Sequence, residues 1–323
     1  MRLTIWCNTK LAGPAEQRLI DGTRRHRLIV SANASASVLV PGKPDPALAE
    51  ADVAFGQPSV EDCLRYPRLR WIELSSAGYT RFDREDLKTA LRERGAAMTN
   101  ASGVFADSCA QHVLAMMLAL GRQLPQSLRD QLTDRSWHYT QRRYDSRRLT
   151  GQTVLMLGYG AIGRRLAELL APFGMKLLAL RRQTRSERAV RVIAEEAISS
   201  ALAGADHVVN LLPENDATRG YVNARRLACC QRGAHFYNVG RGTTVDQSAL
   251  LEALASGRLG AAFLDVTDPE PLPPEHALWS APNCFITPHT AGGRRDQDDA
   301  LAEHFLANLA AFESGAALTD RVV

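Results

Sequence analysis

Nothing in the sequence spells out a disulfide scaffold or a metal cluster. Its six cysteines, at positions 7, 63, 109, 229, 230 and 284 of 323 residues, include no C-x-x-C pair, and no cysteine–histidine spacing suits zinc. The adjacent Cys229 and Cys230 read as buried or half-buried thiols on a helix. No apolar run reaches membrane-spanning length, and the opening "MRLTIWCNTK" is too short and polar for a secretory signal. These absences fit a reducing, cytoplasmic setting with no membrane partner. Excess charge is lacking too: the formal net charge is +4, too mild to argue for a nucleic-acid surface. Basic residues cluster only briefly, near 24–27, 142–148 and 181–188. No short-period repeat and no low-complexity segment appears.

What is present is an ordinary globular composition, 45% hydrophobic and 23% charged, in a chain long enough for two domains with cores of their own. The first part alternates short apolar runs with turn and helix residues. The runs 3–7, 27–31, 51–56, 70–75 and 96–100 predict strands of a parallel sheet with crossover helices. A helix is expected from about Asp107 to Arg122, apolar around most of its circumference, so buried or shared with a partner. Residues 125–150 read as polar and irregular. Beyond them come further strand candidates, 207–212, 234–239, 261–266 and 284–288. A last helix, about Arg294 to Glu313, carries Leu301, Phe305, Leu309 and Phe312 on one face.

Between these segments, "TVLMLGYGAIGRRLAELLAPFGMKLLALRR" runs strand, glycine turn, helix, glycine stop, strand. Gly158-Tyr159-Gly160-Ala161-Ile162-Gly163 matches G-x-G-x-x-G. Gly158 permits the tight turn, Gly160 lets a pyrophosphate approach, and Gly163 lets the helix pack on the strand. The phosphates then sit at a helix N-terminus, where N–H groups and the dipole favour negative charge. An NAD-binding unit places an acid at the end of its second strand, to hold the ribose. That acid is missing here; Arg181 takes its place, followed by Arg182 and Thr184. An acid would repel a 2′-phosphate, whereas an arginine offers it a bidentate partner, so NADP(H) is expected over NAD(H).

Three later segments, "NVGRGTTVD" (238–246), "GAAFLDVTDPEPLPPEHALWSAPN" (260–283) and "TPHTAG" (287–292), carry the chemistry. With the glycine turn, "SSAGY" (75–79) and "TNASGVFADSCAQHVLAMMLALGRQLP" (99–125), they resemble the D-isomer-specific 2-hydroxyacid dehydrogenases over nearly the whole chain. The resemblance implies Arg241, Glu270 and His289 as the catalytic three. Their chemistry agrees. Reducing a 2-oxo acid needs a proton on the carbonyl oxygen, which a histidine supplies near neutral pH. Glu270 would accept the other imidazole N–H and favour the charged ring. Pro288 restricts the backbone that aims that ring. Arg241 would clamp the carboxylate with its planar fork and polarise the carbonyl.

The resemblance further implies that the turn Ala77-Gly78-Tyr79 gives backbone N–H groups to the substrate carboxylate. It places Leu212, Pro213, Asp265 and Gly292 at the cofactor, Asp265 at the nicotinamide end. Tyr79-Thr80 stands where many relatives have Val-Asp, and Gln111-His112 where they have Glu-His. Tyr79 would narrow the pocket mouth, and His112 reads as packing. The implied architecture is α/β, two doubly wound parallel-sheet domains with the active site in the cleft between them. A substrate domain of residues 1–103, completed by 290–323, pairs with a Rossmann dinucleotide-binding domain of 104–289. The implied activity is NADPH-dependent reduction of a small 2-oxo acid, glyoxylate or hydroxypyruvate, by a homodimer joined through residues about 104–150. The alternatives are an oxidative D-2-hydroxyacid or phosphoglycerate-type dehydrogenase, and a cofactor-sensing corepressor-like protein.

Overall fold

The computed structural model describes residues 2–35, 42–181 and 189–323. The chain divides into two compact units, Met1–Phe105 with Arg294–Val323, and Ala106–Gly293. In the first unit, β1 (Thr4–Thr9), β2 (Arg27–Ser35), β3 (Val53–Gly56), β4 (Trp71–Leu74) and β5 (Ala97–Thr99) form a sheet in the order β2-β1-β3-β4-β5. Every neighbouring pair is parallel. Burial of β1, β3 and β4 on both faces explains why they read as continuous apolar runs rather than alternating ones. Ile5, Val53, Phe55 and Trp71 face one apolar layer, and Trp6, Ala54, Ile72 and Met98 the other. The helix Gln297–Ser314 closes the first layer. Its Phe305 stacks on Phe55 at 4.4 Å and on Trp71 at 5.4 Å between ring centroids.

The second unit holds β6 (Thr153–Leu157), β7 (Lys176–Leu180), β8 (Arg191–Ile193), β9 (His207–Asn210), β10 (Ala234–Asn238), β11 (Leu259–Leu264) and β12 (Cys284–Ile286). Their order is β12-β11-β10-β9-β6-β7-β8, all parallel. The winding reverses between β6 and β9, so the turns after those two strands flank the switch point where doubly wound sheets bind ligands.

Several expectations need correcting. β8 was not foreseen. Residues 125–150 are not simply irregular: helices Leu124–Leu132 and Tyr139–Asp145 lie there, the first opened by a proline near its start. The long helix runs Ser102–Gly121, beginning before Asp107, where Asn100 Oδ1 accepts the Ser102 N–H at 3.2 Å. By length and composition, with a mean hydropathy of 1.4, that helix is long and apolar enough to cross a membrane, against the expectation that nothing was. Composition alone does not separate such a span from a core helix, and Val113, Met117 and Leu120 are buried within the fold. The last helix starts at Gln297 rather than Arg294, whose guanidinium pairs with Asp296.

Candidate active site

The glycine turn follows β6 and opens the helix Ala161–Leu170, which no side chain caps. Gly158 adopts φ +98°, and a Cβ there would stand 3.2 Å from the Leu211 carbonyl oxygen. A Cβ on Gly160 would meet nothing within 4 Å, which is the close approach a pyrophosphate needs. Gly163 lies against Tyr159 and Leu211, at 3.1 and 3.3 Å from a built Cβ. These features fit a dinucleotide, with Gly158, Tyr159, Gly160, Ala161, Ile162 and Gly163 together as the phosphate cradle. Across the sheet, Leu157 pairs with Leu180, and the Gly158 N–H donates to the Leu180 carbonyl at 3.2 Å. Arg181 therefore begins beside the glycine turn, half-buried. Arg182 and Thr184 lie outside the described residues.

The carboxyl ends of β10, β11 and β12 bring the other candidates together. Arg241 follows β10, half-buried, with Nη1 donating to the Gly240 carbonyl at 2.6 Å. Burial pulls its guanidinium below the ordinary value, and the carboxylates of Glu270 and Glu214 partly offset this. His289 follows β12. Its Nδ1 lies 2.8 Å from Glu270 Oε2, and both side chains are about one-third exposed, at 30% and 32%. Glu270 Oε1 accepts the Thr267 N–H at 3.0 Å. Burial would raise the Glu270 carboxyl, but the bonds from His289 and Thr267 and the charges of His289 and Arg241 leave it lowered, so ionised. With Nδ1 committed to Glu270, Nε2 is the ring nitrogen that a proton donor would use. His289 also adopts φ +53°, a left-handed conformation that costs a non-glycine residue on the order of 1 kcal/mol. Its N–H holds it there through the carbonyls of Asp265 (2.9 Å) and Thr287 (3.0 Å).

Asp265 shows what the sequence did not. Its buried carboxylate accepts from Thr287 Oγ1 (2.6 Å), the Thr290 N–H (2.8 Å) and the Ala291 N–H (2.9 Å). It is thus the anchor of the turn that carries His289 and Gly292. His112 packs edge-on against Phe263 and reaches Thr287 Oγ1 at 3.3 Å. A second buried network supports Arg241. Asn210 Nδ2 donates to Asn238 Oδ1 (2.9 Å) and Thr244 Oγ1 (2.7 Å), while Asn238 Nδ2 and Thr244 Oγ1 donate to the Arg241 carbonyl at 3.1 and 2.7 Å. Asparagines ending adjacent apolar strands were the available signal, since buried polar groups need partners. Asn210 also takes the Leu212 N–H at 3.4 Å, and the next residue, Pro213, is exposed with its carbonyl accepting from Thr218 at 2.6 Å.

In the first unit, Ala77, Gly78 and Tyr79 form a half-buried turn beyond β4. No hydrogen bond among the described residues engages the N–H of Ala77 or Gly78. Such N–H groups suit an anion.

The family model "D-isomer specific 2-hydroxyacid dehydrogenase, NAD binding domain" matches residues 114–291. The chain is 32% identical over 254 residues to the glyoxylate reductase of Aeropyrum pernix, covering 77% of this chain and 75% of that protein. The fold is similar to that of the D-isomer specific 2-hydroxyacid dehydrogenase of Xanthobacter autotrophicus Py2, solved with NADPH and MES, at a TM-score of 0.81 and 27% identity over 100% of this chain and 98% of that one. It is also similar to the NADPH-dependent glyoxylate/hydroxypyruvate reductase of Sinorhizobium meliloti, solved with NADP and malonate, at a TM-score of 0.72 and 26% identity over 100% and 97%. The chain belongs to the D-isomer specific 2-hydroxyacid dehydrogenase family. It is an NAD(P)-dependent oxidoreductase of small 2-oxo and 2-hydroxy acids.

Proposed function

We propose that this enzyme reduces a small 2-oxo acid of the glyoxylate or hydroxypyruvate type to the D-2-hydroxy acid, with NADPH as the preferred donor. The observation that carries the reading is the Glu270–His289 pair at 2.8 Å with the half-buried Arg241 in electrostatic reach of Glu270. The bound cofactor supplies the hydride. His289 Nε2 gives the proton to the carbonyl oxygen, Glu270 holds the ring in the tautomer that can do so, and Arg241 stabilises the negative charge developing on that oxygen. Leu212, Pro213, Asp265 and Gly292 are read as cofactor contacts, Asp265 at the nicotinamide end. The turn 77–79 takes the carboxylate, which makes the first unit the substrate domain.

The glyoxylate reductases among the relatives support the substrate class, and Arg181 beside the glycine turn supports NADPH. A homodimer joined through residues 104–150 is part of the proposal. Leu128, Leu132, Trp137 and Tyr144 there are large apolar side chains left exposed. Following NADPH and NADH absorbance over a panel of small 2-oxo acids tests the reading. Fastest turnover of glyoxylate or hydroxypyruvate supports it; preference for a bulky or phosphorylated acid contradicts it.

A further inference from the structure

The turn proposed above to bind the substrate carboxylate is held from behind. Three successive carbonyls are each engaged inward. The Ala101 N–H donates to the Ser76 carbonyl at 3.0 Å, Asn100 Nδ2 to the Ala77 carbonyl at 2.7 Å, and Ser76 Oγ to the Gly78 carbonyl at 2.7 Å. In a planar trans peptide, the N–H points opposite to the carbonyl of the same unit. Fixing these carbonyls therefore fixes the directions of the N–H groups of Ala77, Gly78 and Tyr79.

The donors are themselves fixed. Ser76 Oγ accepts from Gln57 Nε2 at 3.0 Å, which leaves its own proton for Gly78. Gln57 Oε1 accepts from Arg81 Nη2 at 3.1 Å, so its amide cannot be reversed without placing NH₂ against a guanidinium. The Gln57 backbone is held from both sides by Asn8, at 2.7 and 2.9 Å. Asn100, Gln57 and Ser76 are all buried. Buried polar side chains that spend their donors on the carbonyls of one half-buried turn pre-organise the face opposite.

We infer that Asn100 and the Gln57–Ser76 pair are positioning residues, which aim the N–H groups of the 77–79 turn at the substrate carboxylate. This rests on the reading of that turn as the carboxylate site. A loosened turn offers the anion poorly aligned donors, so binding of the acid suffers while the glycine turn of the other unit is untouched.

Isosteric variants separate this role from plain structure. Asn100→Asp keeps the acceptor for the Ser102 N–H and loses the donor to Ala77. Gln57→Glu keeps an acceptor for Arg81 and loses the donor to Ser76. Ser76→Ala loses the hydroxyl, and Ser76→Thr retains one. For the best 2-oxo acid of the panel, Asn100→Asp and Ser76→Ala should each raise KM about tenfold, the scale of one well-placed hydrogen bond. The Kd for NADPH, read by fluorescence titration, should not move, and Ser76→Thr should recover most of the loss. An unchanged KM in both variants overturns the inference, as does a parallel loss of NADPH binding. Should Asn100→Asp not fold, the Ser76 pair decides by the same criteria. The identity of the best acid bears on the proposed function, whereas the KM changes measured on it bear on the positioning residues.

Discussion

At the residue scale, the proposed chemistry rests on which imidazole nitrogen is committed. Glu270 takes Nδ1 of His289, and the backbone of His289 is held at positive φ by the Asp265 and Thr287 carbonyls. Removing the ring in His289→Ala should lower kcat by about 10²–10⁴, the usual scale for a positioned general acid. A rate above half that of the unaltered enzyme in steady-state assays would exclude the role. Glu270→Gln is subtler. The amide is a weaker acceptor for the Nδ1–H and orients the ring less firmly, so kcat should fall about tenfold or more. The pH dependence for Glu270 follows from its lowered carboxyl. Its contribution is complete above the ordinary carboxylate range and is lost only as pH falls through the depressed value. An unchanged kcat in Glu270→Gln would show that the pair does not act in catalysis.

At the scale of elements, close approaches decide which glycines are structural. A Cβ on Gly242 would lie 1.9 Å from the Thr267 carbonyl oxygen, so the Arg241 turn packs directly on the loop that carries Glu270. Gly242→Ala should cost about 1–3 kcal/mol of stability, the scale of overpacking, and should lower kcat/KM as those two residues separate. Gly160→Ala meets nothing within 4 Å, so its Tm should hold while NADPH binding weakens. Thermal melts and cofactor titrations of the pair check this, and the opposite ranking would contradict it. The sheets were largely legible in the sequence because buried parallel strands are continuous apolar runs between turn residues. β8 was not, being a short edge strand with an exposed Arg191 just past the basic stretch. The helices within 125–150 were not, because their buried side is too small to impose a period. Arg241, Glu270 and His289 were proposed from their segments, and the carboxyl ends of β10, β11 and β12 bring them to one side of the sheet. The Asn210–Asn238–Thr244 network and the anchoring role of Asp265 were not, since a polar residue ending a strand does not name its partner.

At the scale of the whole molecule, the second unit carries an acid liability remote from the glycine turn. His207 begins β9 and His235 is the second residue of β10, both on the amino-terminal side of the sheet. The neutral His207 ring is satisfied by Tyr237 Oη (3.0 Å) and Gln152 Oε1 (2.7 Å). Burial, then the neighbouring His235, pushes His207 down to about 3, and burial with Arg147 pushes His235 down to about 4. Both are neutral when folded and protonate near 6.5 when unfolded, so the unfolded state binds more protons below that pH. Stability should therefore fall on acidification, by up to about 1.4 kcal/mol per pH unit for each histidine. Denaturant midpoints at pH 7 and pH 5 test this. His207→Gln should flatten the slope, and an equal slope would remove His207 from the account.

Arg181 directly follows β7, at the place where an NAD-binding unit carries its acid. One charge-assisted hydrogen bond to a 2′-phosphate is worth about 1.5–3 kcal/mol, a tenfold to hundredfold preference. The most direct measurement is the ratio of kcat/KM for NADPH over NADH, with glyoxylate or hydroxypyruvate, for the unaltered enzyme and for Arg181→Ala. The account predicts a ratio of about ten or more that collapses in the variant through loss of NADPH alone. Equal use of the two cofactors, or equal losses for both in Arg181→Ala, would contradict it.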